Sequence, residues 1–369
     1  MTTSAFSTFY RPKKLSDVVG QEVAVQILTN SFNDKSWHHA YLLEGNLGSG
    51  KTTIARIMAA MDNCENGPTL TPCGECRNCK DIFAGKSLDV REIDAASNRG
   101  IDDIRGLKKQ SYLAPINSRI KYFIIDECHS LTGQAAESAL KFVEEPPANV
   151  RIILATTDPQ KLKKTIHSRC IRLTFNKISW LNLQKHLGNI CKLENIKFDD
   201  DALRLISKVA NGSVRDALQG LQSANSYVGK DGIIDLKSTE KVLGSINSAV
   251  YFDLVANIMN VDVAAAVLTI DKLMVEGKNV ETIIDGLTVH LRNLLLSRTC
   301  GDKISEFGLV DEEIKRYSNQ SQNISPVVIS RMMANMIDVQ NAISKNLNPQ
   351  YYLEKYVLDS IIEVVKSKK

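Results

Sequence analysis

Residues 45–52, GNLGSGKT, have the types and spacing to hold phosphate. They match G-x-x-x-x-G-K-T, with an apolar run before them at 40–43 and an amphipathic pattern after them toward Met61. Glycines let backbone N–H groups converge on phosphate oxygens, and a helix N-terminus adds positive potential. Lys51 is expected to reach the β- and γ-phosphates, and the Thr52 hydroxyl to ligate Mg²⁺. Gly45, Asn46, Leu47, Gly48, Ser49, Gly50 and Thr53 complete the cradle. A second stretch, KYFIIDECH at 121–129, is an apolar run closed by two acids. Asp126 is placed to hold Mg²⁺, largely through water. Glu127 is placed to orient or deprotonate an attacking water, which makes it the candidate catalytic base. A third apolar run, 150–155, ends in Thr156-Thr157, where a hydroxyl can bond that water or the γ-phosphate.

Metal chemistry of another kind is written between these stretches. Four of the eight cysteines fall at Cys64, Cys73, Cys76 and Cys79. Two C-x-x-C steps share Cys76, and four thiolates close a tetrahedral Zn²⁺ site. No open coordination position is implied, so the expected zinc is structural, stapling an excursion too small to bury a core. Cys128, Cys170, Cys191 and Cys300 are scattered. The start, MTTSAFSTFYRPKK, lacks the apolar core of a signal peptide, and a reducing compartment favours metal over disulfides.

Apolar runs at 40–43, 88–93, 121–125, 150–155 and 171–175 alternate with helical patterns at 21–32, from about 101, and at 134–144, where Pro146-Pro147 stops the chain. This predicts an α/β fold with a parallel sheet and a ligand crevice at the strands' carboxyl ends. Tyr10, Arg11, Pro12, Val18 and Val19 lie upstream, where a nucleotide base could lodge. Ser16 is expected to cap a short turn there.

From residue 179 the strand signal fades. Helical patterns at 180–191, 201–210 and 214–224 follow. Arg215 sits in a helix's first turn, against the dipole, which calls for an anionic partner. From 238 the pattern is helical throughout. Ile283, Leu287, His290, Leu291 and Leu294 share one face. The expected organisation is an α/β domain over 1–178, a small helical domain over 179–242 and an all-helical domain over 243–369. The chain has 369 residues, a net charge of +4 and 43% hydrophobic residues, and no run approaches the ~18 apolar residues of a membrane span. That charge permits a nucleic-acid partner without arguing for one.

Further motifs carry a family resemblance: YRP at 10–12, DVVGQE at 17–22, HHAYLLEG at 38–45, EIDAAS at 92–97, IDECH at 125–129, LATTDPQKL at 154–162, SRC at 168–170 and GSVRDAL at 212–218. With the cysteine cluster, they resemble the bacterial DNA polymerase III gamma/tau clamp-loader ATPases. The resemblance implies an AAA+ module that binds ATP and Mg²⁺ and carries zinc, a helical lid, and a helical collar that joins subunits in a ring. It implies that Thr157 is the sensor-1 residue and Arg215 the sensor-2 arginine. It implies that Arg169 is an arginine finger acting on ATP held by a neighbour.

Implied partners are other loader subunits of delta and delta-prime type, copies of this chain, a sliding clamp and primer–template DNA, all in the cytoplasm and with no membrane. Asn98, Arg99 and Arg105 are offered as phosphate contacts to DNA. The loop reads GNLGSGKT where relatives often carry Pro or Arg at its second and third positions; these contribute backbone. Without the long C-terminal extension of tau-like forms, the chain is expected to be a short gamma-like form, a minimal phage or bacterial version, or a trimmed form. Rival readings are another AAA+ DNA motor of branch-migration type, a non-hydrolysing scaffold subunit, and a zinc-ribbon nucleic-acid binder.

Overall fold

The computed structural model describes residues 5–301, 309, 311–345 and 347–367. By compactness the chain divides into two units, Met1–Val242 and Leu243–Lys369. The first is built on a sheet of five parallel strands: β1 (Ala40–Gly45), β2 (Val90–Asp94), β3 (Lys121–Asp126), β4 (Val150–Thr156) and β5 (Ile171–Phe175), in the order β2-β3-β4-β1-β5. β1 is flanked by β4, with Leu42 opposite Leu154, and by β5, with Leu43 opposite Leu173.

The apolar runs are continuous because helices cover both faces. Tyr41, Leu43, Tyr122, Ile124, Ile153 and Ala155 point to the face packed by helices Glu22–Asn33 and Lys51–Asn63. Ala40, Leu42, Phe123, Ile125, Ile152 and Leu154 point to the face packed by helices Ile101–Ser111 and Gly133–Glu144. Because every pairing in the sheet is parallel, all five strands' carboxyl ends share one edge.

Three local differences from the sequence reading have physical causes. β2 starts at Val90; Leu88 is 55% exposed, while Asp89 is 2% exposed and accepts the backbone N–H groups of Ile116, Asn117 and Ser118. The cysteine excursion contains a helix, Arg77–Phe83, and it is seated in the main core, since Cys64, Cys79 and Ile82 are buried with the sheet. Ser16 lies inside the turn Leu15–Asp17 and bonds Asp17, so it caps nothing.

After β5 come helices Trp180–Leu193, Asp200–Val209 and Val214–Val228. A two-residue parallel pair, Lys197–Phe198 with Ile233–Ile234, ties them together. It is too short to leave a sequence signal.

The second unit holds helices Ser248–Met259, Val263–Val275, Val280–Cys300, Asp311–Ser321, Pro326–Ser344 and Pro349–Ser367. Ile283, Leu287, His290, Leu291 and Leu294 are all buried, as their spacing predicts. His290 is 2% exposed beside Phe252 and Tyr317, with Nε2 3.1 Å from Gln320 Oε1. Gln320 Nε2 in turn donates to the Phe252 carbonyl. Burial pulls His290 down to about 4, so the ring is neutral and Nε2–H donates.

The unfolded chain takes up a proton near 6.5 that the folded chain refuses until about 4. Stability from this site is therefore complete above 6.5 and is lost as pH falls toward 4. The expected loss is on the order of 3 kcal/mol. Hydrogen exchange of the Val280–Cys300 helix across that range should show it, and His290→Gln should flatten the dependence.

Candidate nucleotide site

The phosphate loop lies between the end of β1 and the helix that begins at Lys51. Gly45 has φ +154°, and a Cβ there would strike the Phe175 carbonyl. Gly48 has φ +72° and packs against Ser213 and Arg215. Val214 N donates to the Gly48 carbonyl at 3.2 Å, so the helical region leans directly on the loop. Lys51 is 5% exposed and donates from Nζ to the carbonyls of Gly45 (2.7 Å) and Asn46 (2.9 Å). Burial lowers its affinity for a proton, while Glu127 and Asp126 work the other way.

Thr52 Oγ1 donates to Asp126 Oδ2 at 2.7 Å, bringing together the two residues expected at Mg²⁺. Glu127 follows with φ 48°, a left-handed conformation that costs a non-glycine residue roughly 1–3 kcal/mol and is concentrated at functional sites. Its Oε2 accepts from Thr157 Oγ1 (2.7 Å) and Thr157 N (3.2 Å), and His129 Nδ1 lies 3.3 Å away. The Thr157 hydroxyl expected near the γ-phosphate is thus bonded to the candidate base.

The cleft is lined by Tyr10, Arg11, Pro12, Val18, Val19, residues 47–53, Asp126, Glu127, His186, Arg215 and Leu218. All five residues proposed for the base stand on its wall, together with Arg215. Arg11 is lowered by burial first, then by Arg56 and Arg215. Glu92, paired with Arg56, works the other way. The N-terminal segment is moored to the helical region. Phe6 N donates to Gln222 Oε1 (2.9 Å) and Tyr10 Oη to Glu194 Oε1 (2.6 Å). Burial, then Glu194, pushes the Tyr10 phenol up to about 12.

Arg169 is not among the cleft-lining residues. It borders another groove with His38, His39 and Glu144, and its Nε lies 2.6 Å from Glu144 Oε1. The side chains of Asn98, Arg99 and Arg105 donate to Asp94, Ala96 and Asp102 of their own segment, and the Arg99 carbonyl accepts from Thr132 N. Two further contributors are not among the site residues read from the sequence, although Gln21 lies in the DVVGQE motif. Gln21, 3% exposed, donates to the carbonyls of Ser49 and Asn176 and fixes the loop to the end of β5. His186 reaches the cleft from the helix Trp180–Leu193, and burial lowers its affinity for a proton.

The cysteine sulfurs Cys64, Cys73, Cys76 and Cys79 all lie within 4.8 Å of one another. Backbone N–H groups of Cys73, Cys76 and Cys79 point at the sulfurs of Cys64, Cys73 and Cys76. Donation from the backbone of Cys76 and Glu75 brings the exposed Cys73 thiol down to about 6. Four clustered sulfurs with amide donors are a donor set that fits a tetrahedral, thiophilic ion.

Comparison with known proteins decides the family. Residues 20–179 match the family model "DNA polymerase III, delta subunit", and 182–221 match "DNA polymerase III clamp loader subunit, ATPase lid domain". Residues 234–361 match "DNA polymerase III subunits gamma and tau domain III". The chain is 36% identical over 318 residues to DNA polymerase III subunit gamma of Buchnera aphidicola subsp. Acyrthosiphon pisum, covering 86% of each. It belongs to the DNA polymerase III gamma/tau family.

This gamma/tau-family chain is also 35% identical over 343 residues to Bacillus subtilis subunit tau, covering 92% of itself and 59% of that protein. It spans 32% of the Haemophilus influenzae tau/gamma subunit, at 45% identity over 218 residues. A single-substitution variant of Thermotoga maritima RuvB superposes with a TM-score of 0.50 at 20% identity, covering 68% of this chain and 80% of that one. That likeness is one of fold: AAA+-like α/β, followed here by a helical C-terminal region.

The contact between loop and helical region makes a testable demand. A Cβ on Gly48 would run into Ser213 Oγ, the oxygen that caps the Val214–Val228 helix by accepting from Asp216 N. Gly48→Ala should lower stability by more than the roughly 1–3 kcal/mol that its left-handed backbone alone costs. Thermal melting of the chain without nucleotide measures it, and an unchanged midpoint would mean that the loop and the helix do not press on each other.

Proposed function

We propose that this chain is an ATP-hydrolysing motor subunit of a clamp loader, which opens a sliding clamp and places it on primer–template DNA. The observation that supports this best is a division of labour. Lys51, Thr52, Asp126 and Glu127 converge on one cleft, while Arg169 faces a different groove. A chain so built holds ATP itself and lends its arginine to the next subunit.

In this reading Lys51 leaves the carbonyls of Gly45 and Asn46 for the β- and γ-phosphates. Thr52 and Asp126 would hold Mg²⁺, which neutralises charge on the transferring phosphoryl group. Glu127 orients the attacking water once Thr157 releases it, and Thr157 turns to the γ-phosphate as sensor 1. Arg215 approaches the phosphates from the lid as sensor 2. Tyr10, Arg11, Pro12, Val18 and Val19 receive the base. Arg169, freed from Glu144, stabilises the transition state in the neighbouring subunit. Hydrolysis then depends on assembly, and partners are copies of this chain, delta- and delta-prime-type subunits, the clamp and DNA, in the cytoplasm. The three-domain division at 178 and 242, with the last domain as collar, belongs to this reading, as do Asn98, Arg99 and Arg105 as contacts to DNA phosphates.

In the assembled loader, Arg169→Ala should leave ATP binding intact and reduce hydrolysis by about 10³–10⁵-fold. Single-turnover hydrolysis beside equilibrium nucleotide binding separates the two effects. Equal turnover by the isolated chain with and without Arg169 would remove the trans reading.

Cys64, Cys73, Cys76 and Cys79 would hold Zn²⁺ as a structural ion. Chelation should lower the melting temperature of the first unit and raise hydrogen exchange over 64–83, with metal content followed by atomic absorption. Loss of DNA binding with melting unchanged would instead favour a zinc-borne nucleic-acid surface.

A further inference from the structure

The mechanism proposed above gives no part to the buried acid at the end of β1. Glu44 is 4% exposed and immediately precedes Gly45. Arg172 of β5 donates to both its oxygens, Nε to Oε1 at 3.0 Å and Nη2 to Oε2 at 2.7 Å. His167 brings Nδ1 to 3.2 Å from the same Oε1, while its Nε2 lies 3.2 Å from the Pro159 carbonyl oxygen. Nε2 thus faces an acceptor, while Nδ1, buried and without a hydrogen-bond partner, lies against the Glu44 carboxylate. A carboxylate this deeply buried requires a cationic neighbour, which Arg172 supplies.

His167 closes the short helix Lys164–His167, and Arg169 follows two residues on. The ring thus joins three elements. Glu44 belongs to the strand that feeds the phosphate loop, Pro159 to the segment after Thr157, and His167 itself to the turn that presents Arg169. The guanidinium of Arg169 is half-exposed, so the place of that turn is set from beneath.

We infer that His167, clamped between Glu44 and the Pro159 carbonyl, is the positioning residue for Arg169, coupling the phosphate-loop strand to the arginine offered to the neighbour. The inference rests on the reading of Arg169 as a trans-acting group. His167 touches no nucleotide; it acts through the turn it anchors. Because Gly45, next to Glu44, carries the carbonyl that Lys51 grips, a movement of the loop on binding phosphate is passed to the clamp.

The test uses the assembled loader with clamp and primed DNA. His167→Gln keeps much of the volume and one donor but loses the rigid ring that spans Glu44 and Pro159. It should leave ATP binding within about twofold and KM unchanged, and lower kcat by ~10–100-fold, the scale of a displaced catalytic group. His167→Lys, which puts a pairing group beside Glu44 and so rebuilds the link by other means, should recover most of that loss. His167→Gln combined with Arg169→Ala should be no slower than Arg169→Ala alone.

Full hydrolysis by His167→Gln while Arg169→Ala is inactive overturns the inference and leaves the arginine reading standing. Full hydrolysis by Arg169→Ala removes the reading itself. Equal losses in the Gln and Lys variants with lowered melting temperatures mean a structural role and also overturn it. If His167→Gln does not assemble, Glu44→Gln removes the charge from the other side of the clamp. The same kcat loss supports the coupling, and full activity ends it.

Discussion

Crowded positive charge around the phosphate loop is the constraint on which the rest of this structure depends. Lys51 is buried and gripped by backbone carbonyls, while Arg11 and Arg215 look into the same cleft and Arg56 stands close enough to disfavour Arg11's charge. Packing Lys51 and Arg11 here costs free energy that Asp126, Glu127 and Glu92 offset only in part, and the fold supports them by rigid means. β1 is gripped on both sides by parallel neighbours, Gln21 buckles the loop to β5, and the Val214–Val228 helix leans on Gly48. A polyphosphate entering the cleft meets donors already in place, which is the condition for strong electrostatic stabilisation in a partly desolvated site.

The opposing charge is managed with equal care. Asp126 is held by Thr52, and Glu127 is held in a left-handed conformation with its carboxylate on Thr157. The candidate base is thereby kept on its own scaffold, and the hydroxyl that restrains it is the one proposed to sense a γ-phosphate. In that proposal binding and restraint exchange partners within a single network.

Much of this could be read in the sequence because strong local chemistry leaves periodic traces. Buried parallel strands write continuous apolar runs, so β1, β3, β4 and β5 fell within a residue or two of their observed bounds. The phosphate loop, the acid pair and the cysteine cluster depend on fixed short spacings, and each is a compact cluster in space. What stayed hidden depends on long-range pairing. Gln21 reaches Ser49 and Asn176, and Tyr10 reaches Glu194 across 184 positions. Glu44 reads as one polar residue in an apolar strand until Arg172 and His167 are seen beside it. The parallel pair at 197–198 and 233–234 is only two residues long, below any length at which alternation is visible.

The mooring of the N-terminal segment has a consequence of its own. Phe6 and Tyr10 are fastened to Gln222 and Glu194, so the wall that would face a base travels with the helices that carry Arg215. In the proposed function, recognition of the nucleoside and closure over its phosphates become one mechanical coordinate. Cargo fused just ahead of Phe6, even a purification tag, would hang on that coordinate while meeting none of the proposed catalytic groups.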